Sequence, residues 1–268
     1  MPFASVNGVR LHYDEFGVGE PVLLIMGSGG RGRAWHLHQV PALRAAGYRV
    51  VTFDNRGIAP SDLCADGFTV RDMVGDVVGL IEHLGLESVR VVGTSMGSYI
   101  AQELVLARPD LVRQAVLMAT RGRTDRFRAA LSTATRELHR SGAVIPSSYS
   151  AVTQAMQVLS PATLARDQDA ADWLDLLELA PPPGPGELAQ LALEPMPDRL
   201  EAYRAIEVRC HVVSFSDDLL TPARHGRELA EIIPGATYEC VADAGHYGYL
   251  EVPETVNKSI VEFFRSAC

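Results

Sequence analysis

The sequence predicts an α/β fold: a mostly parallel sheet with helices on both faces and a block of helices inserted near its end. Three observations carry that prediction. Short apolar runs of strand length alternate with stretches of helical length over residues 21–119, the rhythm of successive βα units. The run Pro21-Val22-Leu23-Leu24-Ile25-Met26 is apolar throughout, as a strand covered on both faces must be. From about 122 to 197 the chain is helical and strand-poor, after which the βα rhythm resumes.

Taken in order, Phe3–Val6 and Val9–Tyr13 flank Asn7-Gly8, two residues that tolerate positive φ and so read as a hairpin turn. Pro21–Met26 is the third strand. A helix is predicted at 34–46, a strand at Arg49–Phe53, a helix at 70–84 and a strand at Ser88–Val92. A helix at 96–107 and a strand at Gln114–Ala119 follow. The insertion is broken by Pro181-Pro182-Pro183-Gly184-Pro185-Gly186. Beyond it come the strand Cys210–Phe215, a helix at 223–232, the strand Thr237–Val241 and a helix at 254–265. Eight strands in one sheet give a core domain of 1–121 and 198–268. Residues 122–197 are then expected to cap the carboxyl edge of the sheet, where open α/β folds bind ligands.

Composition bounds the rest. The 268 residues suffice for one large domain with a sizeable core. A hydrophobic share of 47% and a charged share of 21% exclude a disordered, collagen-like or disulfide-stapled chain. The net charge of -9 disfavours nucleic acid and anionic membrane surfaces as partners. No apolar run is long enough to span a bilayer, and no signal peptide is visible in Met1–Asn7. Cys64, Cys210, Cys240 and Cys268 are scattered without a CxxC pair. Cys210 and Cys240 read as core filler and the compartment as reducing and cytoplasmic. The single lysine, Lys258, among so many arginines reads as codon bias rather than phosphate recognition. His36 and His38 are two apart, about 200° around a helix, so no metal site is expected there or elsewhere.

Two motifs compete for the chemistry. Gly27-Ser28-Gly29-Gly30-Arg31-Gly32 satisfies G-x-G-x-x-G after a strand, and Asp54 closes the next strand, which is the context of a dinucleotide site. Gly93-Thr94-Ser95-Met96-Gly97 is a G-x-S-x-G between a strand and a helix. There a serine on a strained turn exposes its hydroxyl, and the amide of Met96 points at a developing oxyanion. A serine needs a base and the base an orienting acid. His246 follows the strand Thr237–Val241, and Asp217 and Asp218 follow Cys210–Phe215. Three strand ends thus deliver serine, acid and histidine in chain order, which outweighs the glycine fingerprint.

On Leu23–Gly30, Phe53-Asp54-Asn55-Arg56-Gly57 with Ser61, Gly93–Gly97, Asp218–Pro222, and Gly245-His246 with Glu251 and Pro253, the chain resembles the α/β-hydrolase superfamily. Within it the chain is similar to the enol-lactonase, esterase and cofactor-free haloperoxidase branch, and to stand-alone hydrolases and thioesterases of polyketide pathways. The resemblance implies Ser95 as nucleophile, His246 as base and Asp218, four residues before Pro222, as the acid. Asp125 is the outside candidate for the acid. The oxyanion hole would use the backbone amides of Ser28 and Met96, although Met26-Gly27 replaces the family's usual His-Gly.

The expected activity is hydrolysis of an ester, thioester or lactone with a medium-to-large apolar acyl group, without a cofactor. That group is free, or linked to a carrier protein or coenzyme A, and fits a role in secondary metabolism. Gly29, Trp35, Trp173 and Tyr247 are the candidate pocket residues. No basic cluster in the insertion signals a phosphate or polyanion. The same triad could serve perhydrolysis or C–C cleavage. An NAD-dependent oxidoreductase and a non-catalytic binding module are the more distant readings, and the chain is expected as a monomer or homodimer.

Overall fold

The structure, a computed structural model, describes residues 2–266, so Cys268 lies outside it. Eight strands form one sheet in the order β1-β2-β4-β3-β5-β6-β7-β8. They are β1 (Phe3–Val6), β2 (Val9–Phe16), β3 (Pro21–Ile25), β4 (Arg49–Phe53), β5 (Val89–Thr94), β6 (Val112–Met118), β7 (Arg209–Phe215) and β8 (Thr237–Val241). β1 and β2 are antiparallel, as are β2 and β4, and every other pairing is parallel. The carboxyl ends of β3 to β8 therefore share one edge.

The strands bury side chains on both faces, in period-two alternation. Leu23, Ile25, Val51, Val91 and Leu117 pack on one side, where α2 (Val70–His83) and α3 (Met96–Ala107) lie. Val22, Leu24, Val50, Val92 and Val116 pack on the other, with Trp35 and with α1 (Gln39–Ala45) and α12 (Pro253–Arg265). Truncating any one of these leucines to alanine is expected to cost about 2–5 kcal/mol.

Between β6 and β7 the chain forms α4 (Arg126–Ser141), α5 (Ser147–Val158), α6 (Pro161–Leu164), α7 (Asp167–Glu178) and α8 (Pro185–Leu191), followed by the short α9 (Leu200–Tyr203). We propose that this block is a cap. It is fastened to the sheet edge at two places. At one, the Gln190 side chain of α8 accepts from Gly29 N (2.8 Å) and donates to Arg56 O (2.8 Å). At the other, the amide and hydroxyl of Ser160 both donate to Glu251 (2.8 Å each), and Tyr247 N donates to Val158 O (2.9 Å).

Three details differ from the sequence reading. The helix expected at 34–46 is a 3-10 turn, Gly32–His36, and a separate α1; Pro41 sits in the first turn of α1, where its missing N–H is tolerated. Beyond α10 (Ala223–Ile232), a short helix, α11 (Gly248–Glu251), follows the candidate histidine and was not expected. Cys210 is buried but Cys240 is exposed, because β8 is the last strand of the sheet and one face of that strand stays open.

Candidate active site

Ser95 lies where β5 turns into α3, with φ 54° and ψ −118°. That conformation costs a non-glycine residue on the order of 1–3 kcal/mol, and the two flanking glycines make it possible. A Cβ on Gly93 would stand 2.4 Å from Gly97 O, and one on Gly97 would stand 2.1 Å from Ile25 O. No other residue fits either position. Ser95 N donates to Met118 O (3.0 Å), which continues the β5–β6 ladder into the turn.

Asp218 follows β7, and His246 follows β8. His246 Nδ1 is 2.8 Å from Asp218 Oδ2, and both residues are buried. The Asp218 carboxylate is fully engaged. Oδ1 accepts from the amides of Leu220 and Thr221 (2.8 Å each), and Oδ2 also accepts from the Thr221 hydroxyl (2.6 Å). Burial alone would raise its pKa; the His246 ring and the Thr221 hydroxyl and amide outweigh that and hold it below the ordinary carboxylate value. It is therefore an anion near neutral pH, fixing a proton on His246 Nδ1 and leaving Nε2 as the basic nitrogen.

The alternative acids are engaged elsewhere. Asp125 caps α4 through Arg128 N (2.8 Å) and meets Arg224 Nη2 and His225 Nε2 (2.9 Å each). Asp217 takes the Ser216 hydroxyl at 3.1 Å. Neither touches His246 among the described residues.

The loop after β3 runs alongside Ser95; a Cβ on Gly27 would come 3.2 Å from Ser95 Cβ. The amides of Ser28 and Met96 donate to no protein group among the described residues, and Met96 opens α3, where amide donors are left over. Met26 is buried, touches Gly30 and receives the Tyr249 hydroxyl at its sulfur (3.7 Å). Its carbonyl accepts from Asn55 Nδ2 (3.0 Å), so the loop is held without a histidine.

The dinucleotide reading has no room. Asp54, the proposed ribose acid, already accepts from Gly32 N (2.8 Å) and meets His12 Nδ1 (2.8 Å). Only a five-residue 3-10 turn follows the glycines, not a helix whose amides could take a pyrophosphate.

Of the candidate pocket residues, Trp35 is corrected. It is completely buried, 5.0 Å from the Tyr249 ring centroid, and faces the core because the 3-10 turn folds it beneath the loop. Gly29 is exposed, but its amide is taken by Gln190. Trp173 and Tyr247 are half-buried and lie 6.1 Å apart between ring centroids, in an apolar cluster with Leu159, Leu174, Leu177 and Leu220. Sequence reasoning missed Gln190 and the role of Glu251, whose Oε1 accepts from Gly245 N (2.7 Å) beside His246. Glu251 follows Gly245-His246 closely in sequence. Gln190 gave no signal at all, since its partners are 134 and 161 residues away.

Comparison with known proteins places the fold. The alpha/beta hydrolase fold family matches residues 20–253. BpoC of Mycobacterium tuberculosis, provisionally named a non-heme bromoperoxidase, is 47% identical over 259 residues, covering 96% of this chain and 98% of its own. Its crystal structure superposes with a TM-score of 0.91 over 95% of each chain. The enol-lactonase of Burkholderia xenovorans LB400 superposes with a TM-score of 0.81 at 25% identity, covering 99% of this chain and 100% of its own. On fold, sequence and coverage, the chain belongs to the α/β-hydrolase superfamily.

Proposed function

We propose that the chain is a serine hydrolase of carboxylic esters, thioesters or lactones. The observation that carries this reading is Ser95 strained at the end of β5, on the sheet edge where His246 is already bonded to Asp218. Ser95 Oγ attacks the carbonyl carbon while His246 Nε2 takes its proton. Asp218 holds the ring in the required tautomer and offsets the charge it acquires. The amides of Ser28 and Met96 donate to the oxygen as it becomes negative. His246 returns its proton to the leaving group and then deprotonates the water that cleaves the acyl-enzyme. No step needs a metal or an organic cofactor.

The cluster around Trp173 and Tyr247 supports an acyl group with an apolar body. Each methylene it covers contributes about 0.8 kcal/mol, so kcat/KM should rise along a p-nitrophenyl ester series. Higher kcat/KM on acetate than on hexanoate or octanoate would remove the apolar-contact argument.

A second reading has one observation in its favour, the name of the relative BpoC. Here hydrogen peroxide replaces water at the acyl-enzyme and gives a peracid. Partition of the acyl group between water and added peroxide, read as acid against peracid, separates the two.

A further inference from the structure

Among the described residues, buried and half-buried arginines are paired, with two half-buried exceptions. Arg56 is held by Asp76, Arg90 by Glu20 and the Gln114 side chain, and the half-buried Arg199 by Glu103. The side chains of Arg121 and Arg128 have no hydrogen bond, ion pair or aromatic ring among the described residues, and the Nε of each is fully buried without an acceptor. The hydroxyl of Thr124, between them in sequence, is in the same condition.

Their position is specific. Arg121 emerges just beyond β6, the strand between β5, which carries Ser95, and β7, which precedes Asp218. Arg128 lies in the first turn of α4, the helix that follows. The Asp218 charge bears on both guanidiniums, and burial lowers the pKa of each, that of Arg121 to about 10, so both remain cationic at neutral pH. The other nearby acid, Asp125, is already matched by Arg224 and His225.

Two unpaired cations so close together are costly unless something brings them a counter-charge. Guanidiniums are planar forks suited to bidentate oxyanion binding. Against the single charge of Asp218 they leave one net positive charge, which a carboxylate neutralises and a phosphate dianion would exceed. We propose that Arg121 and Arg128 form a carboxylate-binding subsite at the sheet edge that carries Ser95 and Asp218, so that the substrate carries a carboxylate as well as its scissile acyl bond. This inference rests on the serine-hydrolase reading for the word substrate, but the subsite itself does not. It revises the expectation of a wholly apolar acyl group: an apolar body lies against the cap cluster and an acidic group meets the arginines.

The test is calorimetric titration of glutarate into the Ser95→Ala protein, in which no turnover occurs. Saturable binding is expected, weakened ~10-fold or more by adding either Arg121→Met or Arg128→Met, the usual loss for a charged hydrogen bond. Arg→Gln versions serve if a methionine variant does not fold. In the native enzyme, the ratio of kcat/KM for p-nitrophenyl hemiglutarate over p-nitrophenyl valerate should exceed one and fall ~10-fold in each variant. Absent glutarate binding, binding that survives both substitutions, or binding of inorganic phosphate but not glutarate would overturn the proposal. Hydrolysis failing while glutarate still binds through the arginines would count against the hydrolase reading alone.

Discussion

The two sides of the candidate site handle buried polar groups in opposite ways. At the sheet edge, Asp218 accepts four hydrogen bonds, from His246, the Thr221 hydroxyl and two amides, and nothing in it is left to move. On the cap side, Arg121, Thr124 and Arg128 keep buried polar atoms without any protein partner. Preorganised groups of the first kind suit charge that develops during reaction, because they need no rearrangement when it appears. Open groups of the second kind suit charge that arrives with a ligand. Arg56, bonded through two nitrogens to Asp76, shows how the same side chain looks when its task is structural.

Substitutions on the two sides should therefore differ in kind. The largest effect is expected from Ser95→Ala, which should lower kcat on a p-nitrophenyl ester by at least ~10³-fold with the melting curve retained, since nucleophile and base act as a unit. Asp218→Asn should cost ~10²–10⁴-fold by presenting the wrong His246 tautomer. Asp217→Asn should change kcat by less than ~3-fold, as its contact is with a surface serine. Activity lost in Asp125→Asn but kept in Asp218→Asn would move the acid to Asp125 and break the distinction drawn between them.

Stability separates the paired from the unpaired arginines. Arg56→Met leaves Asp76 buried with, among the described residues, only the Asn7 side chain as partner and should cost about 3–5 kcal/mol, a fall in Tm on the order of 10 °C for a chain of this size. Arg121→Met removes an uncompensated cation and should leave Tm unchanged or raise it, as differential scanning calorimetry would read. A comparable loss in both would mean that Arg121 is structural. Smaller than the Arg56→Met loss is that of Gln190→Ala, which unpins the Gly29 loop from the cap and should cost about 1–3 kcal/mol, from the two hydrogen bonds it breaks.

The smallest effect is on acid stability. The Arg128 amide, then His225 and Arg224, hold Asp125 below the ordinary carboxylate range. Its contribution is thus complete above its unfolded-state value and is lost as pH falls through that value toward the folded one. Asp125→Asn keeps a good cap but removes that contribution, so Tm should fall slightly at neutral pH and stay nearly unchanged in strong acid, flattening the acid limb; a uniform downward shift at all pH values would contradict it.

The sheet and the Ser95 turn were legible in the sequence because they depend on local rules. An apolar run of strand length and glycines around one serine each constrain a few consecutive residues. The chain order of Ser95, Asp218 and His246 was legible as well, since parallel topology sends every strand end to the same edge. What stayed hidden depends on contacts between distant segments. Trp35 looked available beside a glycine loop, and only the fold of the 3-10 turn buries it. Cys240 looked like core filler until β8 proved to be the sheet's edge. The expectation of no basic cluster in the insertion is corrected here, because Arg121, Arg123, Arg126 and Arg128 crowd one short stretch, but their spacing could not say which lack acids. Arg123 meets Glu228 and Arg126 is exposed, so half of that crowding is ordinary surface.

The central claim is that Ser95 is an activated nucleophile. Its most direct measurement is reaction with a fluorophosphonate followed by peptide mass spectrometry, with the native protein beside Ser95→Ala and His246→Ala. The account predicts a single stoichiometric adduct on the peptide that carries Ser95, absent from Ser95→Ala and formed far more slowly in His246→Ala. No adduct on the native protein, an adduct at another residue, or equal labelling of the native and Ser95→Ala proteins would contradict it.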